Sequence, residues 1–422
     1  MALEVIRRVT DEGAYSNLAL SAELTRSGLP VRDRQFAAEL ALGTIRALLR
    51  LDGALAGTSS RPLPELDPPV RAALRLGAHQ LLFTRVPAHA AVSETVGLVP
   101  VRARGFVNGV LRALAREAPS WPSGPGAEDV AARTGLAPWA VEELGRVLPQ
   151  DEVEDAAAAL ASPAPLTLRV NTCRTTVETV RRALREAGHH AAPGRWHPDV
   201  LTLPRVGPPS ALPGFRQGWF AVQDEASVLV GAAVEARPGE RILDACAGPG
   251  GKASHLACAV GNDGVLVAGE IHARRAALVS GTAERLGVRA LVLAQDARQP
   301  ALRGGFDAVL VDAPCSGLGA ARRRPELLWR PQRSDLARLA RLQVAILKGV
   351  AELVRPEGRL VYAVCTYPRA ETEAAVRAFL AKRPDFEPAA LPGPDGPAET
   401  HRLWPHRHGT DAMFIAGFRR TD

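Results

Sequence analysis

Two cysteines in this 422-residue chain stand at the ends of segments that read as buried strands. One segment, Phe306-Asp307-Ala308-Val309-Leu310-Val311-Asp312-Ala313-Pro314-Cys315-Ser316-Gly317, runs through an acid and a rigid proline turn to a thiol. The other, Leu360-Val361-Tyr362-Ala363-Val364-Cys365-Thr366-Tyr367-Pro368, repeats the plan. A lone free cysteine is usually a small buried hydrophobe without chemical work, and that is the expectation for Cys173 and Cys258. Two thiols at equivalent ends of neighbouring parallel strands, about 4.8 Å apart, face one substrate, which packing alone explains poorly. The chemistry that uses both is covalent catalysis on a pyrimidine. A thiolate adding to C6 of cytosine makes the ring an enamine with a nucleophilic C5; after C5 reacts, its proton must leave so that the thiolate is expelled. One thiol forms the adduct and the other serves release, while Asp312 is placed to hold N3 and N4 of the base.

Upstream, Asp244-Ala245-Cys246-Ala247-Gly248-Pro249-Gly250-Gly251-Lys252 lies where a strand meets a helix. Glycine there permits a tight turn and close approach of a ligand to bare backbone. The spacing is not G-x-G-x-x-G, and Pro249 removes an N–H that a pyrophosphate cradle would use. A dinucleotide is therefore the weaker fit. Glu270, at the end of the second strand, is placed to accept from a ribose diol, and Asp296, at the end of the third, from an adenine amino group. The plainer role for both acids is to cap the following helices. Together these residues favour an adenosine ligand that lacks phosphate. Of the 52 basic residues only three, Lys252, Lys348 and Lys382, are lysines. A lysine directly after the glycine-rich turn thus points to a site where a compact ammonium fits and a guanidinium does not.

The elements that must hold these residues follow from periodicity. From Leu3 to about Ala118 apolar residues recur at helical spacing, with Phe36, Leu40, Ile45 and Leu48 as one run and prolines punctuating the rest, so an all-α region of five or more helices is expected. Its arginines read more simply as a solvated helix face than as RNA contacts. Residues 119–126 (PSWPSGPG) have the composition of a linker. Beyond two further helical stretches, strands at 166–171, 200–203 and 219–222 with a helix at 177–188 make a small α/β module. From residue 241 short strands (241–247, 265–270, 290–294, 308–312, 360–365, 413–418) alternate with helices (from 251, 273–286, 335–354, 371–382). That alternation predicts parallel βαβ units in a doubly wound sheet, with its ligand crevice at the carboxyl ends of the strands. The boundaries expected are 1–120, 121–222 and 223–422.

Composition sets outer limits. With 46% apolar and 23% charged residues and no long uncharged apolar run, the chain reads as soluble, with no membrane partner. The first ten residues lead into no apolar h-region, so a cytoplasmic protein is expected. Five scattered cysteines without CxxC spacing argue against a disulfide framework and a zinc site, and predict free thiols and no metal. A net charge of +7 tilts toward a polyanionic partner.

The 306–317 segment resembles the signature of the NOL1/NOP2/Sun family of RNA cytosine-C5 methyltransferases, and 244–252 resembles its cofactor motif. Gln223-Asp224-Glu225-Ala226-Ser227, Arg323-Arg324-Pro325-Glu326 leading to Trp329, and Val364-Cys365-Thr366-Tyr367-Pro368 resemble further blocks in the family's order. The helical N-terminal region is similar to the NusB-type RNA-binding domain of the bacterial small-subunit rRNA branch, the Sun or RsmB type. The resemblance implies an all-α NusB-like domain, a small α/β linking module and a C-terminal α/β Rossmann-like class I methyltransferase domain. It implies S-adenosyl-L-methionine as cofactor and RNA as substrate, 16S rRNA or a small-subunit assembly intermediate, acted on by a monomer. Carried over position by position, the nucleophile is Cys365 and the release cysteine Cys315, with Asp312 and Lys252 beside them. The cofactor contacts are Cys246, Ala247, Gly248, Pro249, Gly250, Gly251, Lys252, Glu270, Asp296 and Asp312. Two departures are visible: Gly248 where alanine or proline is frequent, and Glu270 where aspartate is usual. Two rivals remain. A non-catalytic RNA-binding factor is disfavoured by the joint presence of Lys252, Asp312, Cys315 and Cys365; a DNA cytosine methyltransferase would use Cys315 as nucleophile and carry a target-recognition domain that this chain does not display.

Overall fold

The computed structural model describes residues 1–117, 119–204 and 207–421, so Ala118, to which the helical pattern extends, lies outside the described residues. The chain divides into two compact units, 1–163 with 321–333, and 164–320 with 334–422. No helix among the described residues is long and apolar enough to cross a membrane.

The first unit is helical: α1 (Ala2–Thr10), α2 (Ser16–Arg26), α3 (Val31–Arg46), α4 (Leu48–Ala56), α5 (Pro68–Phe83), α6 (Ala88–Gly97), α7 (Val101–Arg116), α8 (Ala127–Thr134), α9 (Pro138–Gly145) and α10 (Val153–Ala161). Proline opens α5 and α9, where its missing N–H is not needed. Leu51, Leu55, Leu74, Val107 and Leu111 form one fully buried cluster, and Ile6 and Ile45 anchor a second. At Gly77 a Cβ would sit 2.6 Å from a Leu111 methyl, so glycine here lets α5 and α7 close together. The unit continues past the proline-rich 119–126 segment, where the sequence suggests a boundary. Arg50 on α4 stacks over Trp121 (4.8 Å) as well as Phe83 (4.4 Å), tying the linker back to the helices. The segment 321–333 also packs here: the Trp329 indole donates to Ile45 O (2.9 Å), Arg330 donates to Val9 O (2.8 Å) and Ala14 O (2.9 Å), and Leu328, fully buried, accepts from Ala137 N–H (2.9 Å).

The second unit holds two sheets. The smaller is antiparallel, in the order β2-β3-β1-β4, from β1 (Leu166–Val170), β2 (Ala192–Pro193), β3 (Val200–Leu203) and β4 (Phe220–Val222). One face buries Leu168, Val170, Leu201 and Phe220 under Val180 and Leu184 of α11 (Val177–Glu186). The larger sheet takes β5 (Arg241–Asp244), β6 (Val265–Glu270), β7 (Leu291–Ala294), β8 (Phe306–Asp312), β9 (Val354–Val364), β10 (Phe386–Pro388), β11 (Thr400–Leu403) and β12 (Met413–Arg420). Its order is β10-β12-β9-β8-β5-β6-β7, with β11 paired to β12. Strands β9, β8, β5, β6 and β7 are parallel, whereas β12 runs opposite to them and pairs antiparallel with β9, β10 and β11, so the sheet is mixed rather than purely parallel. Runs such as Val309-Leu310-Val311 and Tyr362-Ala363-Val364 are wholly buried because helices cover both faces. These are α12 (Glu225–Ala232), α13 (Gly251–Val260), α14 (Ala273–Leu286), α15 (Asp335–Ala351) and α16 (Glu373–Leu380); a short α17 (Pro405–His408) precedes β12.

One expectation fails. Cys173 and Cys258 are neither free nor buried and inert; they form a disulfide, with Cα atoms 5.9 Å apart. The turn after β1 lies on α13, so thiols separated by 85 residues meet at the margin of the packed region, where Cys173 is exposed.

Candidate active site

Strand β5 ends on Asp244, only 1% exposed, and the chain then turns into α13 through a cis Gly248-Pro249 bond. Gly250 takes φ +107, a conformation that favours glycine, and a Cβ there would press on Val279 and Thr282 at 3.1 Å. A Cβ at Gly248 would lie 2.3 Å from Glu270 Oε2, so the loop rests directly against that carboxylate. Glu270, 4% exposed at the end of β6, accepts from His272 N–H (3.1 Å) and lies 3.4 Å from Arg275. Lys252 Nζ donates to Asp312 Oδ2 (2.7 Å) across the ends of α13 and β8. Burial alone would pull the Lys252 ammonium down, but Asp312, with Cys365 behind it, more than offsets this and holds it above the usual lysine range. Cys246 is pushed well up by burial and then by Asp244, Asp312 and Glu270, so its thiol stays protonated.

Both oxygens of Asp244 are buried and lack a well-formed hydrogen bond, the Cys246 backbone N–H being the donor nearest to satisfying them. Burial, and then repulsion from Asp312, push its carboxyl up to about 7. The crevice therefore gathers three carboxylates, Asp244, Glu270 and Asp312, against the Lys252 ammonium. A ligand bearing a sulfonium and an ammonium suits that balance; a pyrophosphate would be repelled by it. These residues thus fit S-adenosyl-L-methionine and not a dinucleotide. The Asp244 shift carries a pH signature. Its folded value lies above the unfolded value of about 4, so its stabilising contribution is present below about pH 4 and is lost as pH rises toward 7. The ligand-free protein should lose stability across that window, by at most roughly 4 kcal/mol from this group. Melting curves taken from pH 4 to 7.5 should show the loss flattened in Asp244→Asn; an equal slope in both proteins would refute this origin.

Parallel pairing of β8 with β9 sets Asp312 opposite Ala363, so the turns leaving both strands run side by side. Cys315 Sγ and Cys365 Sγ are 3.4 Å apart. A buried network fixes that contact. Glu371 accepts from Ser316 N–H (2.9 Å), Ser316 Oγ (2.6 Å) and Gln343 Nε2 (2.9 Å). Ser316 Oγ, committed as donor to Glu371, lies 2.7 Å from Thr366 Oγ1 and accepts from it, so the residues following the two cysteines are bonded to each other. Gln343 also donates to Pro314 O (3.0 Å), and Gly319 N–H to Cys365 O (3.0 Å). Burial raises the Glu371 carboxyl, while donation from Ser316 and Gln343 opposes the shift. The Cys315 thiol is pushed well up, first by its hydrogen bond with Cys365 and then by burial, which favours its protonated form.

Lys252, Asp312, Cys315, Cys365 and Glu270 thus come together at the ends of β6, β5, β8 and β9. Asp296 stands past β7 with its carboxylate clasped by Arg298, 2.6 Å at the shortest. Sequence reasoning missed Ser316, Gln343, Thr366 and Glu371. A glutamine on the apolar face of α15 was the available signal. No cluster able to hold a metal occurs among the described residues.

Comparison with known proteins gives three family matches along the chain. Residues 1–116 match the NusB family, 137–208 a ferredoxin-like domain described as RsmF/B-like, and 232–419 a family described as 16S rRNA methyltransferase RsmB/F. A putative methyltransferase of Mycobacterium tuberculosis is 42% identical, over 99% of this chain and 95% of its own length. The probable ribosomal RNA small subunit methyltransferase B of Bacillus subtilis is 32% identical, over 100% and 98%. Among solved structures, that of PH0851 superposes with a TM-score of 0.86 at 26% identity, covering 99% of this chain and 97% of that one. A methyltransferase homologue from Pyrococcus horikoshii gives 0.61 at 27% identity, covering 70% and 99%.

Proposed function

Because the chain belongs to the RsmB/F family of 16S rRNA methyltransferases, we propose that it methylates C5 of a cytosine in 16S rRNA through a covalent adduct with Cys365. It is an S-adenosylmethionine-dependent rRNA methyltransferase with a NusB-type helical domain and a Rossmann-like catalytic sheet. The observation that carries the finer reading is the pair of thiols 3.4 Å apart beside the Lys252–Asp312 pair.

Bound S-adenosylmethionine supplies the methyl group. Glu270 and the Gly248–Gly251 backbone would hold its nucleoside part, Asp296 its adenine edge, and Asp244 and Asp312 would balance its positive charge. Cys365 adds to C6 as thiolate, stabilised by the Lys252 ammonium, and C5 becomes nucleophilic. Asp312 holds the N3–N4 edge of the base. After methylation the C5 proton passes to the Cys315 sulfur as the Cys315 thiol hands its own proton to Cys365, so the C5–C6 double bond re-forms, the C6–S bond breaks and Cys365 leaves as a thiol. The helical unit serves as the RNA-docking module, and a cytoplasmic enzyme follows from that substrate. A cytosine in a single-stranded loop enters such a pocket without the cost of opening a duplex.

Bisulfite sequencing of total RNA from cells lacking the gene should show one protected cytosine in 16S rRNA become convertible, restored by the intact gene. An unchanged pattern would overturn the proposal.

A further inference from the structure

The β7-to-β8 connection, residues 295–305, is a parallel crossover without a helix. Such crossovers usually carry one that packs on the sheet. Here an open groove of about 1010 Å³ runs along α15, between that linker and α16. Its floor is built of small side chains, Ala340, Ala345, Ala374 and Ala378, and none of the described residues fills it. Arg341 and Lys348, seven residues apart on one face of α15, and Lys382, just past α16, stand along it, all exposed. No ion pair involves these three among the described residues, whereas the acid that also lines the groove, Asp296, is taken up by Arg298 (2.6 Å), and nearby Arg338 by Asp335 (3.0 Å). Two of the chain's three lysines are spent on this one groove.

We propose that this groove carries the phosphate backbone of the substrate RNA next to the target cytosine. The inference rests on the reading of the chain as an RNA methyltransferase. Three unpaired cations over a floor without long side chains match a polyanionic strand, and the absence of aromatic residues from the lining points to backbone contact without base readout. Position favours RNA over an acidic protein. The groove includes Ala370, next in sequence to Glu371, whose carboxylate fixes Ser316 beside Cys315, so the groove's lining reaches to within one residue of the network that holds the thiol turn.

The test uses the full chain carrying Arg341→Glu, Lys348→Glu and Lys382→Glu together, with transcribed 16S rRNA as probe and salt as the variable. Affinity should fall by roughly tenfold or more and the log–log salt slope should drop by about 2, since each single-strand phosphate contact contributes about 0.7. S-adenosylhomocysteine binding should stay at the wild-type level, showing that the fold is kept, and an Arg341→Lys, Lys348→Arg, Lys382→Arg variant should bind RNA as wild type does. Wild-type affinity and slope in the charge-reversed chain would overturn the groove and leave the face to an acidic protein surface. Wild-type protein that methylates no cytosine would sink the functional reading separately, and a reduced slope would still support the groove as an RNA track.

Discussion

Replacing Cys365 by alanine is expected to abolish methyl transfer, by at least about 10⁴-fold, as for removal of a nucleophile that works with its neighbours as a unit. Cofactor binding and the melting temperature should stay near wild type, because Cys365 lies at a half-buried turn held from the other side by the Ser316–Thr366–Glu371 network. Cys315→Ala should behave differently. The same network keeps the turn in place, so addition and methylation proceed, but the departing sulfur has lost the proton donor 3.4 Å away. Enzyme and RNA should then migrate together on a denaturing gel, a band absent with Cys365→Ala. The reverse pattern would assign the nucleophile to Cys315, as in the DNA enzymes. No band from either variant, with no turnover by the wild type on rRNA or on assembly intermediates, would favour a non-catalytic factor.

Lys252→Met should lower the rate by on the order of 10²- to 10³-fold, the range seen when one preorganised charge is removed from a water-poor site. Its ammonium, 11% exposed, balances Asp312 and faces Cys365, and without it Asp312 and Asp244 repel each other across the crevice where the sulfur must become anionic. Arginine should not restore activity, since a planar fork does not fit where a compact ammonium makes one 2.7 Å bond. Adding Asp312→Asn to Lys252→Met should cost much less than the two single losses combined, because each single change leaves a charge unpaired. Rates that multiply independently in the double variant would show that the pair does not act as a unit.

Much of this site was legible in the sequence because strand ends in a doubly wound sheet are interchangeable positions. Apolar runs ending at Asp312 and at Val364 have one sensible placement, and sequential βαβ strands then bring Cys315 and Cys365 together. Polar residues buried far from these motifs were not legible. Gln343 lies within a helix that also carries Arg338, Arg341 and Lys348, and only the fold distinguishes the polar side chain turned to Glu371 from those turned to water. The Cys173–Cys258 bond depends on where a turn lands on α13, about which spacing says nothing. The strands β2, β10 and β11, Ala-Pro, Phe-Glu-Pro and Thr-His-Arg-Leu, carry no apolar run like those of β3 and β4 to mark them. Trp329 finds its acceptor 284 residues away, so a segment that reads as part of the catalytic block packs among the helices.

That last segment governs how the gene can be divided. The chain enters the catalytic unit after residue 163, leaves it five residues beyond Cys315, and returns at Ser334. The two units are therefore not beads on a string, and recombination between relatives cannot exchange the helical part through a single crossover near residue 120. Any hybrid that swaps it also has to swap 321–333, a stretch encoded inside the enzyme half, or Leu328 and Trp329 will meet foreign helices. A polypeptide starting after the linker would likewise expose those side chains with nothing to cover them. Inheritance of the helical half and the thiol-bearing half is thereby linked, which favours their descent as one reading frame.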